Sequence, residues 1–390
     1  MSKPTPMSRT FLVLLVYLVA SILGALGSTS NGSTISGTAT TIPTAAPLQG
    51  LWVANGAIDV LEFLASQFVA GGAVAPHLTN STFIFDTPQD ALFAADGSLW
   101  VVDGGGRGAN DPRGTGAAAF RFSPTQLAAL AANPHPTPVF EISKLRGPIT
   151  FKSPRFAAFD SSGNLWISDV YNSVIFEFTA QQLTAKTGVD LTPAAVLTGS
   201  KKGDFNATLG IAFDKSGNLW IANNGDTTIV EVTAAQLAAA KGITTISPIT
   251  RLNTTRAGGL DTIKNPWGIL FDASGNMWFT NEQLSVSNCS GSIVEFGAGT
   301  FGGKGSITPK PRVVFTQVSD VGVESLCDPN GIALSLAGFI AVANAGNSSI
   351  VGYSPAQLRR GGTVLPITLI KGEATTLNGP TGLVFGPNLQ

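Results

Sequence analysis

Six Asn and Asp side chains recur at the ends of apolar segments, where their oxygens could form a binding site. They are Asn55, Asp103, Asp169, Asn223, Asn281 and Asn344. Carboxylate and amide oxygens are ligands for Ca²⁺ and Mg²⁺, but the same side chains also cap backbone N–H groups in turns. A residue type that repeats in every segment suits a need shared by all segments, because a small ligand has no six-fold symmetry. We interpret the set as structural and expect chemistry at positions that break the pattern.

The segments that position these residues are copies of one unit. "FDSSGNLWISD" ends at Asp169, "FDKSGNLWIAN" at Asn223 and "FDASGNMWFTN" at Asn281. Equivalent positions recur 48 to 66 residues apart, a spacing typical of propeller blades. Each unit predicts four antiparallel strands: an apolar first strand, an Asp-x-x-Gly hairpin, a second strand with Trp, and an alternating third strand. A capped turn of the type "TAAQL" then leads to strand four.

The two ends of the repeat region complement each other. The region begins with half a unit, "LWVAN", and the chain closes with the missing half, "GPTGLVFGP". Pairing these halves removes two exposed strand edges. We therefore predict an all-β fold over residues 49–390: a six-bladed β-propeller with four antiparallel strands per blade. Its C-terminal strand closes the ring by pairing with the N-terminal blade, which we number blade one.

The first 48 residues have a different composition. Lys3 and Arg9 precede an apolar run over residues 11–27 that ends in small residues, so residues 1–27 predict an export signal. A retained membrane anchor is the alternative, and it is the only membrane contact that we expect. Residues 28–48 form a Ser/Thr-rich linker without charges. We predict an extracytoplasmic protein, either secreted, periplasmic or on the cell surface.

The low charge content bears on the class of partner. Charged residues make up only 12% of the chain and the net charge is −1, which gives no electrostatic basis for nucleic-acid binding.

The blade pattern places Cys289 and Cys327 on one face in adjacent blades. Because the predicted compartment is oxidising, we expect these two residues to form a disulfide.

The motif "FDxxGNLWIAN", followed by "xxIxEF", resembles the NHL-repeat propellers and the related gluconolactonase and virginiamycin-lyase-like propellers. The likeness extends over essentially the whole chain after the linker and is specific for the fold. It implies that ligands bind around the axis on the face that carries the strand two–three loops, here called the top face. The lyases of these families use His residues there. Because His77 and His135 fall between strands three and four, on the opposite face, we expect no His-based zinc site or proton abstraction.

Gluconolactonase-type propellers imply a divalent cation held by Glu, Asn and Asp, which polarises a lactone carbonyl. The matching pairs open each first strand: Gln89-Asp90, Arg155-Phe156, Leu209-Gly210, Trp267-Gly268, Asn330-Gly331 and Thr381-Gly382. No Glu is among them, and Arg155 would oppose a cation. We therefore predict no cofactor and assign no metal ligands. A bound Ca²⁺ ion is the alternative.

The residues that break the repeat are the candidates for ligand contact. At the inner ring they are Gln89, Asp90, Arg155, Trp267 and Asn330, and around the rim Asp103, Arg107, Asp169 and Tyr171. Trp267 suits stacking on a sugar ring or, alternatively, plugging of the channel. We predict an exported binding module that takes a small molecule, a carbohydrate or a protein on the top face. The alternative is a cation-dependent, lactonase-like hydrolase or a lyase at the channel mouth, and no catalytic residue is assigned.

Overall fold

In a computed structural model, the described residues are 49–387, except 57, 82–83, 106–115, 185–189, 258–259, 283–288, 318 and 321–322. The predicted export signal (1–27), the linker (28–48) and Arg107 lie outside the described residues. In the described part of the chain, six antiparallel sheets form a ring, as expected for a six-bladed propeller. None of its helices is both long and apolar enough to cross a membrane.

The innermost strands surround the axis. In blades two to six and then blade one they are Pro88–Phe93, Pro154–Phe159, Thr208–Phe213, Pro266–Phe271, Pro329–Leu334 and Pro380–Pro387. Each innermost strand contacts those of the two neighbouring blades, so the six make one closed ring.

The second and third strands form the buried middle of each blade. From blade one to blade six, the second strands are Gln49–Asn55, Leu99–Asp103, Leu165–Asp169, Leu219–Asn223, Met277–Asn281 and Ile340–Asn344. The third strands are Asp59–Phe63, Ala118–Phe122, Val174–Phe178, Thr228–Val232, Ser292–Phe296 and Ser349–Tyr353. Every second-strand residue in blades two to six is buried, because adjacent blades cover both faces.

The outer strands are short, and neighbouring blades extend some of them. From blade one onward they are Leu78–Asn80, Phe140–Ile142, Ala195–Gly199, Thr250–Leu252, Val313–Thr316 and Thr368–Ile370. Gly242–Ile246 of blade four pairs in parallel with the outer strand of blade three, and Gly305–Ile307 of blade five does the same for blade four. These additions cover edges that would otherwise expose unpaired backbone groups. Two further pairs of strands form small sheets of their own: Arg256–Ala257 with Leu260–Asp261, and Ser319–Asp320 with Val323–Glu324.

The predicted ring closure is confirmed. Gln49–Asn55 pairs antiparallel with Pro380–Pro387, from Gln49 opposite Pro387 to Asn55 opposite Pro380. The first sheet therefore contains strands from both ends of the propeller. This pairing satisfies the backbone groups of both terminal strands.

The hairpin motif works through its Asp side chain. Asp160 accepts hydrogen bonds from the backbone N–H groups of Ser162 and Asn164, and from the indole N–H of Trp166 at 3.0 Å. Asp214 and Asp272 repeat these contacts in blades four and five. The motif thus fixes the turn and the inter-blade Trp together.

Short capped helices precede the outer strands, as predicted. The helices are Ala65–Ala70, Pro124–Ala128, Ala180–Leu183, Ala234–Ala239 and Pro355–Leu358. In the last four, a Ser or Thr hydroxyl and a Gln side chain cap each other's backbone N–H groups. Single 3₁₀ turns lie at Asn224–Asp226, Ala345–Asn347 and Glu373–Thr375.

Aromatic pairs join successive blades. The second-strand Trp of one blade packs on the Phe that ends strand one of the next blade, with ring centroids 5.8–6.4 Å apart. The pairs are Trp52–Phe93, Trp100–Phe159, Trp166–Phe213 and Trp220–Phe271. Three of these contacts are edge-on and the fourth, Trp220–Phe271, is tilted, and such contacts add stabilisation beyond area burial.

The predicted disulfide is also confirmed. Cys289 bonds to Cys327, with their Cα atoms 4.2 Å apart. The bond joins the loop after strand two of blade five to the segment that enters strand one of blade six. It therefore connects two blades on the top face.

Candidate binding site at the channel mouth

The carboxylates that end the second strands are occupied by backbone hydrogen bonds. Asp169 accepts from the N–H groups of Lys152 at 2.7 Å, Ser153 at 3.0 Å and Asn172 at 2.9 Å. Asp103 accepts likewise from Asp86, Thr87 and Gly105. Burial raises the pKa of Asp103 to about 6, although these backbone N–H groups lower it. Both side chains hold the chain that enters strand one of their own blade.

The Asn side chains at equivalent positions also bind the segment that enters strand one. The side-chain oxygen of Asn223 accepts from the Asn206 N–H, and that of Asn281 accepts from the Lys264 N–H at 3.0 Å. In blade one, Asn55 accepts from the Asn378 N–H at 2.7 Å, across the ring closure. In blade six, the Asn344 amide nitrogen donates to the Ser325 carbonyl at 3.0 Å, while its side-chain oxygen has no partner among the described residues. The segment before strand one is thus the shared partner in all six blades, which supports the structural interpretation of the set.

Glycines let the innermost strands touch near the axis. A Cβ added at Gly210 would lie 2.1 Å from the carbonyl oxygen of Trp267, and one at Gly331 would lie 2.3 Å from that of Thr381. Gly268 and Gly382 meet their neighbours in the same way. Blades two and three break this pattern with larger side chains, Asp90 and Phe156.

Asp90 faces a cavity on the axis. The cavity has a volume of about 140 Å³, and Phe156, Ile269, Ile332 and Leu383 also line it. One carboxylate oxygen of Asp90 accepts the backbone N–H of Ala157 at 3.0 Å. Burial raises the pKa of Asp90 to about 7, against the opposing effect of backbone N–H groups. The channel therefore holds a carboxyl group that titrates near neutral pH.

Arg155 bonds to Gln89 rather than to Asp90. Its guanidinium donates to the side-chain oxygen of Gln89, whose amide nitrogen donates to the carbonyl of Thr87 at 3.1 Å. Burial lowers the pKa of Arg155, while the nearby Tyr171 and Asp169 raise it. The predicted site residues Gln89, Arg155, Asp169 and Tyr171 thus lie together on blades two and three.

Trp267 approaches this group from blade five. Its half-buried ring meets the edge of Phe156, with centroids 6.4 Å apart and an interplanar angle of 78°. A Cβ on the next residue, Gly268, would lie 2.7 Å from the carbonyl oxygen of Asn330, so Asn330 lies beside it in blade six. That carbonyl accepts the hydroxyl of Thr280 at 2.6 Å.

Three buried polar atoms at the mouth have no hydrogen-bond partner among the described residues. They are Nε of Arg155, Nε1 of Trp267 and Oδ1 of Asn330. Buried polar groups in proteins are nearly always bonded, so each such atom is a candidate for a partner supplied by a ligand or water. Buried atoms without a partner among the described residues also occur elsewhere, on Asn80, Asn344 and Thr368, and the three at the mouth differ in lying at positions that break the repeat. Two are donors and one is an acceptor.

The remaining candidates are placed as follows. Tyr171 lies on the rim with 73% of its surface exposed. His77 and His135 lie before the outer strands of blades one and two, on the predicted opposite face. His77 is 3.1 Å from the buried Glu62, and His135 contacts the Ser81 carbonyl oxygen at 2.9 Å.

Sequence reasoning did not select Phe156 as a site residue. The available signal was its position, which glycine occupies in four of the six blades. Its side chain lines the axial cavity and supports Trp267. It is therefore part of the mouth, although it offers no polar atom.

The inner ring does not fit a divalent cation. Asp90 is the one carboxylate among the inner-ring candidates, and it already accepts a backbone N–H. The side-chain oxygen of Gln89 accepts a hydrogen bond from the cationic Arg155. Ca²⁺ takes six to eight oxygen ligands. In the described part of the chain, no cluster of three or more His, Cys, Asp or Glu side chains could hold a metal ion.

No protein-family model and no curated protein sequence matches the chain. Solved structures do match it. A Bacteroides caccae protein of unknown function has 8% identity and a TM-score of 0.52, covering 87% of this chain and 99% of that one. A periplasmic gluconolactonase from Pseudomonas aeruginosa has 15% identity and a TM-score of 0.50, covering 88% and 100%. A putative 6-phosphogluconolactonase from Bacteroides fragilis has 12% identity and a TM-score of 0.51, covering 88% and 99%. At such identities the likeness shows the propeller fold alone.

Proposed function

We propose that this protein is an exported propeller that binds a small polyhydroxylated ligand, a sugar or a sugar lactone, at the mouth of its central channel. The observation that carries the proposal is the set of three buried, unpartnered polar atoms on Arg155, Trp267 and Asn330. An unmade hydrogen bond at a buried group costs about 1–3 kcal/mol, which a ligand that completes it would recover.

The chemistry of the mouth complements a sugar. Neighbouring hydroxyls both donate and accept, as Arg155, Trp267 and Asn330 together require. The apolar face of a sugar ring suits the half-buried indole of Trp267. Because the axial cavity holds only about 140 Å³, less than the roughly 300 Å³ of the smallest typical ligand pockets, the ring would lie over the mouth and enter it only in part.

Two further observations support parts of the proposal. One similar structure is described as a gluconolactonase and another as a putative 6-phosphogluconolactonase, which makes sugar lactones and their acids the first compounds to test. The Cys289–Cys327 disulfide supports export, because disulfides persist mainly in oxidising compartments.

The test is calorimetric titration of the full chain with glucono-δ-lactone, gluconate and a panel of monosaccharides. We expect saturable binding of at least one compound, and at least a ~10-fold loss of affinity in Trp267→Ala. Val139→Ala, at an exposed apolar residue before the outer strand of blade two, is the control and should bind as the parent does. Equal affinity in Trp267→Ala, or no binding by the whole panel, would refute the proposal.

A second candidate function is lactone hydrolysis with Asp90 as general base. The observation in its favour is a carboxyl group that faces the cavity with a pKa raised by burial to about 7. Asp90 would accept the proton of a water that adds to the lactone carbonyl carbon. The ring C–O bond then breaks, and its oxygen takes the proton to give the hydroxy acid.

Base consumption at constant pH measures that reaction directly. Asp90→Asn should abolish turnover while the lactone still binds. Lactone binding without turnover above the spontaneous rate in the parent protein would exclude this second function and leave the binding role in place.

A further inference from the structure

The boundary between blades five and six lacks the Trp–Phe pair that joins each blade to the next from blade one to blade five. At the end of strand one in blade six, Leu334 stands where blades two to five have Phe. Trp278 of blade five faces this smaller side chain, and a cavity of about 460 Å³ opens beside it. We call this cavity the hairpin groove; it is lined by Trp278, Arg312, Leu334, Leu336, Leu358 and Arg359, among others.

The boundary between blades four and five shows how the same space can be closed. There Phe301 packs on Trp220, with ring centroids 5.3 Å apart, and on Phe271 at 6.1 Å. Phe301 is only 6% exposed. Among its described residues, blade five has no capped helix between its third and outer strands, and its Phe301 fills the space that stays open beside Trp278.

The groove has apolar walls and an apolar rim. Trp278 and Leu358 are buried, whereas Leu336 is 67% exposed at the hairpin turn. Ala95, Ser161, Lys215 and Ala273 occupy the equivalent turn position in blades two to five. A large exposed aliphatic side chain in this turn is thus found in blade six and not in those four blades.

The acidic groups of the groove are already bonded. Asp272 holds its own hairpin and the Trp278 indole, as the repeat motif requires. Glu295 accepts from Arg312 at 3.0 Å. His77 and Glu62 form an equivalent pair in blade one.

Arg359 supplies a positive charge that the repeat does not need. The residue after each capped Gln-Leu turn is Ala128, Thr184 or Ala238 in the other blades with this turn, and Arg359 in blade six. Its guanidinium has no partner among the described residues, yet it lines the groove. The smaller Leu334, the exposed Leu336 and this unpaired cation all occur at one boundary.

We propose that the hairpin groove binds a small aromatic or aliphatic carboxylate, with its apolar body between Trp278 and Leu334 and its carboxylate on Arg359. The volume lies within the range of small-ligand pockets. A guanidinium recognises a carboxylate through two parallel hydrogen bonds. This site is separate from the channel mouth, and the inference does not rest on the proposed function.

The test is titration of the full chain with phenylacetate and with phenylacetamide, which differ in charge but hardly in shape. We expect the acid to bind with a Kd of about 1 mM or tighter, and the amide at least ~10-fold more weakly. Arg359→Gln should remove this preference. The adjacent Arg360→Gln is the control and should keep it.

A second variant tests the location through packing. Leu334→Phe installs the repeat's own residue, so it should fill the groove and abolish binding while the unfolding temperature stays equal or rises. Equal binding of acid and amide, a preference that survives Arg359→Gln, or no saturable binding of phenylacetate would overturn the inference. Loss of phenylacetate binding in Trp267→Ala would also overturn it, because the ligand would then lie at the channel mouth.

Discussion

The second-strand tips and the channel mouth both contain buried polar side chains, but their hydrogen bonding differs. At the tips, Asp169 and Asn281 have their oxygens bonded to backbone N–H groups. At the mouth, Trp267 and Asn330 hold buried polar atoms without partners among the described residues. The tips repeat in every blade and the mouth does not. The tip oxygen of Asn344 also lacks a partner among the described residues, but its amide nitrogen donates to the Ser325 carbonyl, as the repeat requires. Repetition of the position therefore marks polar residues that serve the fold, and unmet hydrogen bonds at positions that break the repeat mark residues that serve a ligand.

Removing a tip carboxylate should have the largest effect on stability. Asp169→Ala leaves three backbone N–H groups without their acceptor, and we expect a loss of roughly 3–6 kcal/mol in the free energy of unfolding. Urea unfolding measures it. Asp169→Asn is the matched control and should lose much less, because Asn serves at this position in other blades. If Asp169→Ala were as stable as the parent but failed to bind ligand, this tip would serve the ligand and not the fold.

Removing the disulfide between blades five and six should have the second-largest effect on stability. Replacing Cys289 and Cys327 together by Ser should lower the free energy of unfolding by about 3–4 kcal/mol, because the bond closes a 38-residue separation in the unfolded chain. Unfolding of the parent with and without reductant is the control measurement. If the double variant and the reduced parent were as stable as the oxidised protein, the disulfide would not stabilise the ring.

The pH dependence of stability tests the buried carboxyl group of Asp90 at the axial cavity. Burial raises its pKa from 3.8 to about 7, so the folded chain binds this proton more tightly than the unfolded chain does. Its contribution to stability is thus fully present below about pH 4 and is lost as pH rises through 7. Between pH 5 and pH 8, the free energy of unfolding of the parent should fall by about 2–3 kcal/mol more than that of Asp90→Asn, somewhat over half the effect of the full pKa difference. Parallel pH profiles for the two proteins would contradict this.

The framework could be predicted because its chemistry is local and repeated. The Asp160 hairpin, the Ser/Thr–Gln caps and the Asx tips each act within one blade, so the same letters recur in the sequence at each copy. Ring closure and the disulfide followed from counting copies and locating their loops. The parallel strand Gly242–Ile246 was not predicted, because its pairing depends on contact with the neighbouring blade.

The site could be predicted only as a set of positions. The break in the repeat identified Arg155, Trp267 and Asn330, but the bond from Arg155 to Gln89 depends on side-chain geometry across two blades. The sequence also carried signals of the hairpin groove, at Leu334 and Arg359, which became meaningful only when the two were placed at one boundary. Arg107 and most of its loop lie outside the described residues.

The most direct test compares two Asn→Ala variants by the rise in unfolding temperature that a bound sugar or lactone causes. Asn330→Ala removes an unpartnered oxygen at the mouth, so the protein should keep its stability without ligand and lose the ligand-induced rise. Asn281→Ala removes three hydrogen bonds at a tip, so the protein should unfold at a lower temperature and keep the rise. If Asn281→Ala lost the ligand-induced rise and Asn330→Ala kept it, the assignment of tips to the fold and of the mouth to the ligand would be wrong.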